Sequence, residues 1–196
     1  AIAGGDLVVD LTLFGWAHVW RDEAAAAMLA ALQGGIALAS GARRRVPVAV
    51  HSLEHRRFGF CETVAGASYA RLKFRSPVAL RRRGLVHADP QAVVASAIRR
   101  VQDMAFWQDA RLICDEAALH DGIAGLAFDI DDWRPYSWAR HSRRQGDVPI
   151  PMRGWLGSLT LRGPLGDLAA ILAMAETCNI GSHATLGLGW FDLTMV

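Results

Sequence analysis

The sequence predicts an α+β protein built from β-α-β halves in tandem. The first unit is incomplete and the second is a whole βαββαβ unit. Three observations carry this. "LVVDLTLFG", a helix and "GGIALASGARRRVPVAV" repeat in order as "WLGSLTLRG", a helix and "CNIGSHATLGLGWFDLT". Both copies read strand, Gly, alanine-rich helix, Gly loop, strand, a weak internal repeat that decides the architecture. The second copy follows a strand–helix–strand stretch over residues 68–130, which completes β-α-β-β-α-β. The composition, 52% apolar and 20% charged over 196 residues, is globular and suits one large domain or two small ones sharing a core.

Along the chain, "DLVVDLTLFG" (Asp6 to Gly15) reads as a strand, β-branched and Leu-rich, closed by glycine. "RDEAAAAMLAALQ" (Arg21 to Gln33) reads as a helix with acids in its first turn and Gly34-Gly35 as its stop. Arg43 to Leu53 reads as a strand in which Pro47 marks an edge or a bulge. Ser68 to Leu80 is a strand whose Arg71, Lys73 and Arg75 alternate with apolar residues, predicting one wet, basic face. Asp89 to Phe106 is a capped helix with Pro90 at its first position and a stripe of Val93, Val94, Ala97, Ile98 and Val101. "GLAFDIDDW" reads as a strand, and Arg134 to Gly154 as a long polar loop or hairpin arm. Trp155 to Gly163 is a strand, Leu165 to Glu176 a helix and "LGWFDLTMV" the last strand.

The pattern is that of tandem ferredoxin-like (RRM-like) folds. Residues 1–64 form the latter half of a first such domain, and residues 65–196 a complete second one with a C-terminal glycine-rich loop. The leading β-α-β of the first is expected before Ala1.

The bulk chemistry narrows the function. No apolar run approaches the ~18 residues of a membrane span, and no secretory signal is visible. Three scattered cysteines without a CxxC pair argue against a zinc cluster or disulfide framework and suit reduced thiols in a cytoplasm. Net charge is only +2, but 20 of the 21 basic residues are Arg, in runs such as 43–45, 81–83 and 143–144, while acid concentrates at Asp129 to Asp132. Separated signs suit a face for a polyanion; ordinary solvated surface is the alternative. The arm interleaves Trp133, Tyr136 and Trp138 with Arg, which suits stacking on unpaired bases with Arg on phosphates. Core packing is the other reading of Trp133 and Trp138, and the preferred one for Trp155.

The glycines of "CNIGSHATLGLGW" (Gly181, Gly187, Gly189) can serve a helix stop and tight strand entry, or amide groups turned toward phosphate. The spacing is neither the dinucleotide fingerprint nor a Walker loop.

With its strand–helix approach, "IGSHATLGLGWFDL" resembles the glycine-rich loop of the RAMP superfamily, and more closely that of CRISPR repeat-RNA processing endoribonucleases of the Cas-six type. "LVVDLTLFG", "LKFRSPVALRRRG", "AIRRVQDMA" and "WARHSRRQGDVPIPMRGWLGSLTLRG" fit the same family in the same order, so the resemblance covers most of the chain. It implies metal-independent cleavage of CRISPR repeat RNA into guide RNA by 2′-hydroxyl attack, leaving a cyclic phosphate. It also implies repeat RNA as partner, with other CRISPR effector subunits, and no cofactor or metal. Carried onto this sequence, the RNA-binding positions are Arg43, Arg44, Arg45, Arg140, Ser142, Arg143, Arg144, Gln145, Gly181, Ser182, Gly187 and Gly189, and the candidate catalysts are His141 and His183. The arginines beside His141 favour its neutral, base form. Each His could instead only bond RNA or shape a loop. His141 replaces an aromatic and His183 a small residue common in the family, and in many relatives the catalytic His lies in the half that would precede Ala1. A non-catalytic RAMP-type RNA-binding subunit and a ferredoxin-like module without a nucleic-acid role are the alternatives.

Overall fold

A computed structural model describes residues 9–36, 45–46, 48–56, 66–82, 85–87, 89–140 and 149–196. The chain divides into two compact units, Ala1–Arg57 and Phe58–Val196.

In the first unit a 3-10 turn (Gly15–Trp20) leads into helix α1 (Arg21–Gln33), which has Asp22 and Glu23 in its first turn as the sequence predicts. The helix stops at a turn in which Gly35 has φ +80°, and a Cβ there would come within 2.8 Å of the Val46 carbonyl oxygen. The strands expected on either side are not formed among the described residues. Residues 9–14 have no ladder partner, and residues 45–56 contribute only one antiparallel bridge, Ile36–Val46. Val9, Leu11, Val46, Val50 and Leu53 are exposed, so these side chains lack a covering layer among the described residues. β-propensity expresses itself through cross-strand neighbours and burial, and here it has neither.

The second unit holds strand β1 (Tyr69–Phe74), the short hairpin β2 (Leu80–Arg82) and β3 (Leu85–His87), helices α2 (Pro90–Trp107) and α3 (Glu116–Ala124), strands β4 (Ala127–Arg140) and β5 (Ile150–Arg162), helix α4 (Asp167–Cys178) and strand β6 (Phe191–Met195). Its main sheet has the order β4-β5-β1-β6, and every neighbouring pair is antiparallel. That is the strand order of a split β-α-β unit, with α2 leading from the first strand to the second and α4 from the third to the fourth.

Helix α2 begins where the sequence predicts: the Asp89 carboxylate accepts from the Gln91 amide at 2.9 Å, and Pro90 occupies the first turn. It buries Val93, Val94, Ala97 and Val101. Helix α4 buries Leu168, Ile171, Leu172 and Ala175. Beneath these helices lie Ala70, Leu72, Leu159, Leu161 and Phe191 of the sheet, all essentially inaccessible to solvent. Helix α3 was not expected, although Asp115 caps it by accepting from the Ala117 and Ala118 amides, and Leu119 and Ile123, four apart, pack on the core.

The opposite face of the sheet is wet, but it is not the basic face that the alternation predicts. Arg71 pairs with Asp131 and Arg162 with Asp129, each at 3.0 Å, and Arg75 pairs with Asp192. Arg162 also lies over the Tyr69 ring. Acids from both edge strands pair with Arg71, Arg75 and Arg162 of the centre, a pairing that single-strand alternation cannot display. Such exposed pairs add little stability, but they leave this face mixed in charge.

Candidate nucleic-acid interface

Strands β4 and β5 outrun the sheet. Beyond the bulge at Asp131/Arg134 they continue as a two-stranded ribbon, pairing Arg134 with Leu156 through to Arg140 with Ile150. Over its described residues, 134–140 and 149–154, the expected arm is therefore an antiparallel ribbon. Its bend is fixed by Gly157, with φ +139°, where a Cβ would lie 2.5 Å from the Asp132 carbonyl oxygen. The two bulge residues turn Trp133 onto the core, where its ring stacks on Trp155 at 6.3 Å and meets Phe74 edge-on at 5.7 Å. Trp133 and Trp155 are thus packing residues. The Trp133 indole Nε1 is buried there without a hydrogen-bond partner. Tyr136 and Trp138 lie farther out, with ring centroids 5.8 Å apart.

The glycine loop between α4 and β6 answers to its own packing. Asn179 ends α4 at φ +55°, and Gly181, His183, Gly187 and Gly189 all adopt positive φ. At Gly189 a Cβ would sit 1.7 Å from the Ile180 carbonyl oxygen, and at Gly181 2.9 Å from that of Ala79; at Gly187 it would meet nothing. The amides also have protein acceptors. Gly181 donates to Ser96 Oγ at 2.9 Å, Ser182 to the Ala79 carbonyl at 2.7 Å, Gly187 to Ala184 at 2.9 Å and Gly189 to Pro77 at 3.0 Å. These four N–H groups are committed to the fold and are not free to bind a phosphate.

One three-residue segment ties the loop to the ribbon. Pro77–Ala79 receives the Ser182 and Gly189 amides, while Val78 exchanges two 2.9 Å backbone hydrogen bonds with Trp155 at the ribbon's base. Ser96 and Arg100, one turn apart on α2, brace the loop entry: Arg100 Nε donates to the Cys178 carbonyl at 3.0 Å. In the sequence Pro77–Ala79 reads as the end of a strand, and Ser96 as one more position of a helix. Nothing in a single sequence marks either, because both act through partners distant along the chain.

Arg140, exposed, ends the ribbon. Arg45 belongs to the first unit, where its guanidinium donates to the Gly35 carbonyl at 3.4 Å. His183 opens a 3-10 turn (Ala184–Leu186) in the left-handed region, and its Nε2 is buried without a hydrogen-bond partner. Arg43, Arg44, His141, Ser142, Arg143, Arg144 and Gln145 lie outside the described residues.

Two groups near the loop have shifted proton affinities. Burial pushes the Glu176 carboxyl above the ordinary carboxylate range, opposed by the Leu193 amide that donates to it at 2.7 Å. Burial likewise raises the Cys178 thiol, so it is an inert packing group. Among the described residues no helix is long and apolar enough to cross a membrane.

The family model described as CRISPR-associated endoribonuclease Cas6 matches residues 72–191, well over half of the chain. No curated protein matches. Among solved structures, a Cas6 product complex is 18% identical with a TM-score of 0.47, covering 66% of this chain and 52% of that one. A Thermus thermophilus Cas6 is 16% identical at a TM-score of 0.48, covering 67% and 54%. A partial Cas6-RT-Cas1–Cas2 complex is 15% identical at 0.44, covering 70% and 24%. The chain spans about half the length of the Cas6 structures it matches.

Proposed function

The chain belongs to the Cas6 family of CRISPR-associated endoribonucleases, and on that premise we propose that it binds CRISPR repeat RNA and takes part in its metal-independent cleavage to guide RNA. The observation that carries this reading is the shared support of ribbon and loop. The ribbon, with Arg134, Arg140 and Arg153, and the glycine loop both bond to Pro77–Ala79, so an RNA strand can be held by the two together. In the proposed reaction a base removes the 2′-hydroxyl proton. The 2′-oxygen then attacks the adjacent phosphorus, and the P–O5′ bond breaks as an acid protonates the leaving 5′-oxygen. One product ends in a 2′,3′-cyclic phosphate and the other in a 5′-hydroxyl. His141 and His183 are the proposed proton-transfer groups, and Arg140, Arg143 and Arg144 the cations that steady the phosphorane charge. Residues 1–64 are the proposed latter half of a preceding ferredoxin-like domain, and 65–196 the complete C-terminal one. Other CRISPR effector subunits are proposed partners, in the cytoplasm.

A second reading is an RNA-binding RAMP-type subunit that does not cut; the buried, partnerless Nε2 of His183 weighs only against that histidine as a catalyst. Incubating the full-length protein with repeat RNA in EDTA separates the two. A product bearing a 2′,3′-cyclic phosphate supports the endoribonuclease; tight binding with intact RNA supports the subunit that only holds it.

A further inference from the structure

We propose that one face of the β4–β5 ribbon is a stacking platform for unpaired ribonucleotides, formed by Tyr136 and Trp138 between Arg134 and Arg140. The proposal rests on the RNA-binding reading above and specifies which RNA the ribbon takes. Past the bulge the pairing register is regular from Arg134–Leu156 to Arg140–Ile150, so Arg134, Tyr136, Trp138 and Arg140 alternate onto a single face. Successive members stand ~6.6–6.8 Å apart along the strand. The two rings form one continuous aromatic surface, with centroids 5.8 Å apart and planes inclined by 38°.

On the β5 side this face is covered, with Gly154 and Met152 buried, and the β4 side carries the accessible surface. Tyr136 faces Gly154, and this position is held to glycine because a Cβ would come within 3.0 Å of both Pro77 Cβ and the Val78 carbonyl oxygen. Pro77 and Val78 fill the space opposite, and Tyr136 itself remains 47% exposed. Trp138 faces Met152, which is buried and provides a firm apolar partner for the half-buried indole. Trp133, the third aromatic of the arm, is withdrawn into the core and takes no part.

Charge selects the ligand. In residues 133–140 and 149–155 the charged side chains are Arg134, Arg140 and Arg153, and no Asp or Glu occurs. Arg134 leans toward Asp132 at 3.2 Å but is exposed, while Arg140 marks the outer end. Aromatic faces flanked by arginines suit bases that offer their π-faces while their phosphates meet the guanidiniums. A paired A-form helix cannot use such a platform, because its bases are stacked on one another and its major groove is too narrow for side chains to read. The open face of the main sheet, with its paired Arg and Asp rows, lacks this combination.

The test compares Tyr136→Leu and Tyr136→Phe with wild type in the full-length protein, measuring affinity for oligouridylate and for a fully paired RNA hairpin of equal length at one salt concentration. Tyr136→Leu is expected to weaken oligouridylate binding about tenfold to a hundredfold, leave hairpin binding unchanged and keep the wild-type unfolding midpoint. Tyr136→Phe is expected to bind like wild type. Equal loss on both probes, or wild-type oligouridylate affinity in Tyr136→Leu, overturns the platform while leaving the RNA-binding reading intact. A wild-type protein that binds neither probe also overturns the platform, and one that fails to bind repeat RNA as well overturns both.

Discussion

Replacing Gly189 by alanine tests whether the glycine loop is shaped by its own packing. At φ +71° the new residue pays the left-handed cost of ~1–2 kcal/mol. Its Cβ would also stand 1.7 Å from the Ile180 carbonyl oxygen, a backbone atom with no rotamer by which to escape. The loop must open there, breaking the Ile180 N–H to Gly189 O and Gly189 N–H to Pro77 O hydrogen bonds. At ~0.5–1.5 kcal/mol net for each bond, the expected destabilisation is about 2–5 kcal/mol. Gly187 is the internal control. It has φ +78° and open space where a Cβ would go, so Gly187→Ala should cost only the conformational ~1–2 kcal/mol. Urea unfolding followed by tryptophan fluorescence and far-ultraviolet circular dichroism gives both values. If Gly189→Ala costs no more than Gly187→Ala, close backbone approach is not why glycine stands there.

Glu176 should make stability depend on pH. Its folded-state pKa is raised by burial, so the native chain holds this proton to a higher pH than the unfolded chain. Stability should therefore fall as pH rises through the window just above the ordinary carboxylate range. Glu176→Gln keeps an oxygen for the Leu193 amide and should flatten that fall; unfolding midpoints that run parallel to wild type across the window would refute it. For the histidines, His141→Ala and His183→Ala assayed separately on repeat RNA in EDTA test whether either transfers a proton: the loss of rate expected for a general acid or base is about a hundredfold or more. Normal cutting by both removes them as catalysts.

The second unit was largely legible from sequence because its signals are local. Asp89 and Pro90 announce α2, and the spacing of Val93, Val94, Ala97 and Val101 gives its buried face. The sequence reads this strand from Trp155 to Gly163, but the first five residues of β5, Ile150 to Gly154, lie in the polar arm; there the ladder to β4 holds the chain extended. Helix α3 carried a cap and two apolar residues four apart, too little over nine residues to stand out. In the first unit, Val9 to Phe14 and Val46 to Leu53 have strand composition without a ladder among the described residues. Composition sets a preference, and neighbours decide it. The glycine loop shows the same limit. Its need for glycine was readable, but not that the Gly181, Ser182 and Gly189 amides answer to Ser96, Ala79 and Pro77, at least 85 residues away. Those long-range bonds decide what the loop has left to offer a ligand.

The most direct measurement of the central claim, that a basic ribbon braced against the glycine loop grips an RNA backbone, is the salt dependence of repeat-RNA affinity in wild type and in the Arg140→Ala, Arg144→Ala double variant. If both arginines hold phosphates of single-stranded RNA, the double variant should bind more weakly, and its log–log salt slope should be shallower by about 1.4. Unchanged affinity and an unchanged slope would contradict the account.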